Sequence, residues 1–378
     1  MEFVERDLEV PIIRYITKVV RALHYGLDLP KKPDGFTYRD VFTHANTHSL
    51  GGALWYALED EVVAEGDTEL IRRWSRERDL DFAKYVNHRR EFAMITKAFT
   101  ENEVKFLPMK GLIYRTLWAR PEYRTMSDMD IYVVPECIDR AREILIELGY
   151  SLENDRGVLH FNYMKPPYVN VELHKVMEVG DYIKPEDFIP REDNPYWCEL
   201  SREDFLAFNI SHMHKHYTHG GCGIRSLFDL HLFLEKYGTE IDYDLLRKKL
   251  EERDVLDFYD KMCELSEFWY GDGTKAATDD IYREEYYIAG GATYGTVLNR
   301  VRYESKTEGK ISYIFKRAFL PYSSMTRIYP WLEKLPFLLP VAWVMRWFRA
   351  LFNGRLGREV GAIGDAEWKK GNNEENHE

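Results

Sequence analysis

The chain has 378 residues, is 45% hydrophobic, 31% charged and 15% aromatic, and carries a net charge of −12. That length supports a large core and two or three structural units, while the acidic balance argues against broad nucleic-acid binding, which rests on clustered Lys and Arg. Four scattered cysteines with no CxxC pair suggest neither a zinc site nor a disulfide framework, and MEFVERDLEV lacks a signal-peptide pattern, so a reducing cytoplasm is predicted.

From Val20 to Leu54, the turn-formers in LDLPKKPDGF and HTHSLGG predict short helices joined by loops. Over Thr68 to Thr100, apolar residues at helical spacing (Leu70, Ile71, Trp74, then Phe82, Tyr85, Val86, Phe92, Ile95, Phe99) predict two longer helices. VKFLPMKG then reads as a short strand ending at Gly111, GLIYRTLWA as a helix stopped by Pro121, and MDIYVV as a strand. PECIDRAREILIELGY is a helix with an apolar face of Ile138, Ala141, Leu145 and Leu148, ended by Gly149. VLHFNYM and YVNVELH alternate on either side of KPP, a hairpin in outline. The order β-α-β-α-β-β over residues 104–175 is a compact α+β module.

Helical texture follows, opened by a capping box of Ser201 and Asp204. The expected organisation is a helical region at 1–100, a mixed core at 101–200, a helical domain at 201–280, and a region at 281–378 with an apolar segment and a disordered GNNEENHE tail. The apolar segment, LPFLLPVAWVMRWFRALF at 335–352, is interrupted by two prolines, Arg346 and Arg349 and is too short to span a bilayer. It reads as a helix packed on the protein, with peripheral contact to a membrane surface as the alternative.

The chemistry concentrates at EYRTMSDMDIYVV. Asp128 and Asp130 stand two positions apart where polar loop meets apolar strand, so both side chains point the same way. Like charges that close are unfavourable unless a cation or proton joins them. Unpaired, they predict that substituting both with Asn leaves metal-free stability level or higher. A third carboxylate, Glu172 in NVELHK, shares a strand face with Asn170 and His174, while Val169, Val171 and Leu173 take the other. Three acids on neighbouring strands suit two Mg²⁺ ions, which demand hard oxygen ligands and can stabilise both the attacking and the leaving oxygen of a phosphoryl displacement.

This set resembles the DNA polymerase β-like nucleotidyltransferase superfamily: a Gly turn, then DxD, then a distal acid. More narrowly, LPMKGLIY, Arg124 before SDMDIYVV, VELHK, a His-containing helix before IRSLFDLHLFL, and IYPWLEKLPFLLPVAWVMRW resemble a bacterial family of uncharacterised nucleotidyltransferases over roughly residues 70–350. The resemblance implies an α+β nucleotidyltransferase-like mixed sheet with flanking helices. It also implies Mg²⁺, or Mn²⁺, held by Asp128, Asp130 and Glu172, with Glu172 helping to deprotonate the acceptor. NMP would pass from an NTP to the hydroxyl of an unidentified acceptor, whether small molecule, protein or RNA end, with release of pyrophosphate. Lys110 and Gly111 would lie at the phosphate turn, although Leu112 stands where the superfamily usually has Gly or Ser. Arg124 and Ser127 are further nucleotide-binding candidates, Arg124 being equally able to pair with a surface acid. A catalytically silent binding or assembly module is the competing class, and the intact trio of acids favours the enzyme.

His212 and His216, i,i+4 on one helix with His219 beyond, have zinc-like spacing but no fixed carboxylate or thiol partner. They stand with His174 as accessory candidates. Arg225 and Asp229 are expected to pair along their helix. GGATYG lacks the strand-before, helix-after setting of a dinucleotide fingerprint.

Overall fold

The computed structural model describes residues 2–154, 160–177, 182–293, 295–296, 299–300, 303, 315 and 318–352. The GNNEENHE tail, expected to be disordered, and Tyr294 of GGATYG lie outside them. Two compact units are distinguished, one of Met1–His214 with Gly223–Ala289, the other of Lys215–Cys222 with Gly290–Glu378.

The first unit begins with α1 (Glu2–Tyr25), α2 (Tyr38–Thr47) and α3 (Gly51–Glu65). Then comes α4 (Thr68–Glu101), a single 34-residue helix where two were predicted from its apolar spacing. Asp67 caps it, and no Pro or Gly interrupts it. The apparent break in its apolar pattern arises because its inner face also carries the buried polar residues Asp81, His88 and Glu91. Glu91 is answered by Lys165 Nζ at 2.7 Å and Tyr150 Oη at 3.1 Å, so burial does not leave it orphaned.

The mixed module follows as β1 (Phe106–Pro108), α5 (Gly111–Tyr114), β2 (Met129–Val133), α6 (Ile138–Glu147), β3 (Ser151–Asn154), β4 (His160–Lys165) and β5 (Val169–His174). The strands form one mixed sheet in the order β1-β2-β5-β4-β3, with β2 and β5 parallel and the other pairs antiparallel. Strand β3 was not anticipated, because SLEN has too little apolar alternation to stand out. The hairpin did form around the predicted KPP turn. Alternation divides the sheet: Met129, Ile131, Val133, Val169, Val171 and Leu173 enter a core with Ile95 and Phe99 of α4 and Ala141, Ile144 and Leu145 of α6. The predicted face of α6 is therefore the buried one, and Gly149, at φ +86°, ends that segment in a left-handed turn. The opposite sheet face is left to Asp130, Glu172 and His174.

A short two-stranded sheet pairs β6 (Ile189–Pro190) with β7 (Cys198–Glu199). The helices α7 (Arg202–Thr218), α8 (Ile224–Tyr237), α9 (Tyr243–Glu252), α10 (Leu256–Tyr270) and α11 (Asp279–Ala289) follow. Ser201 Oγ accepts from the Asp204 amide at 3.0 Å, the predicted cap of α7. The α+β class is thus observed, with helix predominating over one mixed sheet.

In the second unit, α12 (Tyr322–Ile328) and α13 (Leu339–Phe352) enclose a small core of Met325, Tyr329, Leu332 and Ala342, and the Trp343 and Trp347 indoles donate to the Leu320 and Ala318 carbonyls. Phe337, Val341, Val344, Met345 and Phe348 are exposed. Among the described residues no helix is long and apolar enough to cross a membrane. Ending the chain after Tyr329 removes Leu332, Ala342 and Trp343 from this core, so differential scanning calorimetry is expected to show a lower melting temperature. Unchanged melting together with lost binding to anionic liposomes would instead make 335–352 a membrane contact.

Candidate active site

Asp130 and Glu172 are register partners on the parallel strands β2 and β5, which sets their side chains next to one another on the face away from the core. Asp128 lies in the last loop position before β2 and is partly buried. On the neighbouring strand β4, His160 is the register partner of His174, and their rings sit 5.0 Å apart. The structure thus brings Asp128, Asp130, Glu172 and His174 together and adds His160, which the sequence reading did not single out.

The charges here are unequally answered. Asp130 Oδ1 receives Lys110 Nζ at 2.7 Å and His174 Nε2 at 3.0 Å. Burial pushes its carboxyl pKa up, yet Lys110 and His174 outweigh that and hold it well below the usual range. Burial likewise opposes the charge on Lys110 and on His174, and in both the pull of Asp130 prevails and raises the pKa. Asp128 has no such partner in its balance. Burial first, then repulsion from Asp130 and Glu172, pushes it up to about 6, only partly offset by Lys110 and Arg225. The expectation that both aspartates are unpaired is therefore corrected for Asp130, because a lysine and a histidine from either side converge on it.

This donor set fits a divalent cation. The ligand atoms of His160, Glu172 and His174 all lie within 4.8 Å of one another. His174 Nε2 is 3.0 Å from Asp130 Oδ1 and 3.5 Å from Glu172 Oε2, and His160 Nε2 is 3.7 Å from Glu172 Oε1. Neighbouring ligands bound at about 2.0–2.2 Å to one ion stand roughly 3.0–3.5 Å apart, so little contraction would be needed. The two imidazoles beside hard carboxylates suit Mn²⁺ at least as well as Mg²⁺.

The loop that presents Asp128 is held from several directions. Arg124, 6% exposed, makes a bidentate pair with Asp229 of α8, Nε to Oδ1 at 2.8 Å and Nη2 to Oδ2 at 2.7 Å. Trp118 Nε1 donates to the same carboxylate at 2.9 Å. Arg124 is thus turned inward onto a buried acid rather than a surface one, with its Nε and Nη2 donors committed to that pair. Asp229 is engaged by Arg124 and Trp118, while its helix neighbour Arg225 donates from Nη1 to the Thr125 carbonyl. Thr125 Oγ1 also donates to Asp81 Oδ1 at 2.8 Å, and Arg115 Nε to the Arg124 carbonyl at 3.1 Å. Arg225 also lies near enough to Asp128 to lower its pKa, a neighbour that sequence spacing did not give it.

Lys110 adopts φ +47° and ψ −116°, a conformation costly for a residue with a side chain, and one that turns β1 back into α5 beside Asp130. Gly111 follows because a Cβ there would lie 2.9 Å from Arg124 Nη1 and 3.0 Å from Met126 Sδ, and the Arg124 guanidinium is locked by Asp229. Ser127 is exposed in the loop. His212 and His216 lie on α7, and among the described residues neither belongs to a gathered set of metal ligands.

Residues 34–271 match a family model described as an uncharacterised nucleotidyltransferase. No curated protein and no solved structure matches the chain.

Proposed function

The chain belongs to this family of uncharacterised nucleotidyltransferases, and on that premise we propose that Asp128, Asp130 and Glu172 form the centre of a metal-dependent transfer of NMP from an NTP to an acceptor hydroxyl. The observation that carries the reading is the direct register of Asp130 with Glu172 on the polar sheet face, with Asp128 at the strand mouth. Lys110 and His174 answer Asp130, but Asp128 is left opposed by burial and by the other two acids, a strain that added positive charge would relieve.

Asp128 and Asp130 would hold the nucleotide-bound Mg²⁺ or Mn²⁺, and Glu172, with His174 and His160 beside it, the catalytic one. When bound, such ions neutralise phosphate charge and lower the pKa of an attacking hydroxyl. Lys110, which donates to Asp130 Oδ1 in this structure, would meet a phosphate oxygen from the turn before α5 when that carboxylate is otherwise engaged. The strained Lys110 backbone and the Arg124–Asp229 clamp fix the two segments on which these groups stand, so catalysis rests on positioning and electrostatics. Arg124 therefore acts as a positioning residue, and Ser127, in the same loop, remains a candidate nucleotide contact. The acceptor is a small molecule, a protein or an RNA end. The mixed sheet would then be of the DNA polymerase β-like kind.

The test is calorimetric titration of each NTP in Mg²⁺, Mn²⁺ or EDTA, followed by incubation of α-labelled NTP with protein and cell extract to find a labelled product. Metal-dependent NTP binding is expected, with Mn²⁺ supporting affinity at least equal to Mg²⁺ and losing that advantage in His160→Ala. NTP binding that ignores EDTA, or none at all, would leave the silent assembly module as the better reading.

A further inference from the structure

Apart from the carboxylate cluster, the first unit contains a mostly apolar cavity of about 480 Å³, a size typical of small-molecule sites. It is walled by α4, the segment from β1 through α5, the stretch around Trp197, and aromatic side chains of α7 and α8. Phe205 and Phe233 are stacked at 5.1 Å with an interplanar angle of 18°, and Phe92 meets Trp197 edge-on. Such walls accept a flat apolar body.

The charged groups on the wall differ in how they are satisfied. Arg191 is paired with Asp193 at 2.8 Å and reaches Glu199 at 3.4 Å, Arg202 is 3.3 Å from Glu240, and Arg89 is exposed. Arg115 is different. It is 7% exposed, and among the described residues it forms no ion pair. Its guanidinium donates through Nε to the Arg124 carbonyl and lies 5.2 Å from the Tyr85 ring, but its Nη2 is buried without an acceptor. The Trp197 indole Nε1 is a second buried donor with no acceptor. Burial, then the neighbouring Arg124, pushes the Arg115 pKa down to about 9, which still leaves it charged at neutral pH. His88, on the same wall, is pushed down to about 4 by burial and then by Arg115, so it adds no second charge. A buried guanidinium without a carboxylate is costly, and an anion seated beside it removes that cost.

We propose that this cavity binds a small anionic molecule with a flat apolar body, its carboxylate or phosphate held by Arg115 and its body lying among Phe92, Trp197, Phe205 and Phe233. The cavity lies apart from the carboxylates themselves, while Arg115 also donates to the loop that presents Asp128.

The full chain is titrated by calorimetry with 1-naphthoate, 1-naphthyl phosphate, uncharged 1-naphthalenemethanol and inorganic phosphate. At least one naphthalene anion is expected to bind about tenfold or more tightly than the alcohol, with inorganic phosphate weaker still. The stronger anion identifies the headgroup. Arg115→Met should erase the preference for charge while the alcohol still binds, and Ile113→Trp, which fills the cavity from α5, should weaken all three naphthalenes. Equal binding of anion and alcohol, a preference that survives Arg115→Met, or binding untouched by Ile113→Trp would each overturn the proposal. Should Arg115→Met fail to fold, the wild-type preference for the anion and the weakening of all three naphthalenes in Ile113→Trp decide the matter.

Discussion

Asp130→Asn is expected to destabilise the metal-free protein by about 3 kcal/mol, whereas Asp128→Asn leaves it unchanged or more stable. The two aspartates are near neighbours with opposite electrostatic settings. Replacing Asp130 strands Lys110 and His174, which both converge on its Oδ1. Replacing Asp128 removes a charge that burial, Asp130 and Glu172 all oppose. The pH dependence separates them further. The Asp128 carboxyl has its pKa raised from an unfolded value of about 3.9 to about 6, so over that window the fold binds a proton the unfolded chain has released. Its contribution therefore makes the protein less stable as pH rises from about 4 to about 6, and Asp128→Asn flattens that slope. Asp130, held below its usual range, stabilises above its unfolded pKa and loses that contribution as pH falls below about 4. His174, raised by Asp130, contributes below about 6.5 and loses its share as pH climbs through its folded value. Urea denaturation in EDTA at several pH values measures all of this. Both variants should lose transfer by about a hundredfold or more. Equal destabilisation by the two would show that Asp128 also sits in a structural pair.

The parts of this site that alternate along one strand were legible before any coordinates. Asn170, Glu172 and His174 against Val169, Val171 and Leu173 is a period-two pattern, and it became the division between polar face and core. Where local periodicity carried less information, the reading failed. Helix α4 looks interrupted because buried Asp81, His88 and Glu91 stand on its inner face, each acceptable only through contacts with distant residues. The pairing of Arg124 with Asp229 spans 105 positions, and nothing in the i,i+4 spacing of Arg225 and Asp229 hints that the acid is drawn elsewhere. His160 is an intermediate case. Counting back in step from the predicted KPP turn sets it opposite His174, so hairpin register held the signal. The cavity beside Arg115 left no trace in sequence, since its walls come from four separated segments.

Glu172→Gln is expected to separate nucleotide binding from chemistry. Glu172 stands in register with Asp130 but is the more exposed of the two, its side chain 21% accessible against 6%, with His174 at 3.5 Å and His160 at 3.7 Å. Asp130, by contrast, is held by Lys110 from the turn before α5, with Asp128 at the mouth of the same strand. The amide is nearly isosteric, so the β2–β5 pairing and the imidazole positions should persist. What disappears is the negative charge that would favour deprotonation of the acceptor hydroxyl beside it. NTP affinity in Mg²⁺ or Mn²⁺ should therefore change only modestly, while transfer falls by about a hundredfold or more, the scale of removing a general base or a major electrostatic contribution. Calorimetry of NTP binding alongside a turnover assay reads the two effects separately. If affinity collapses with turnover, Glu172 belongs to the nucleotide-binding group with the aspartates. Wild-type turnover in the variant would remove Glu172 from the chemistry and require another acid, such as Glu178, which lies outside the described residues.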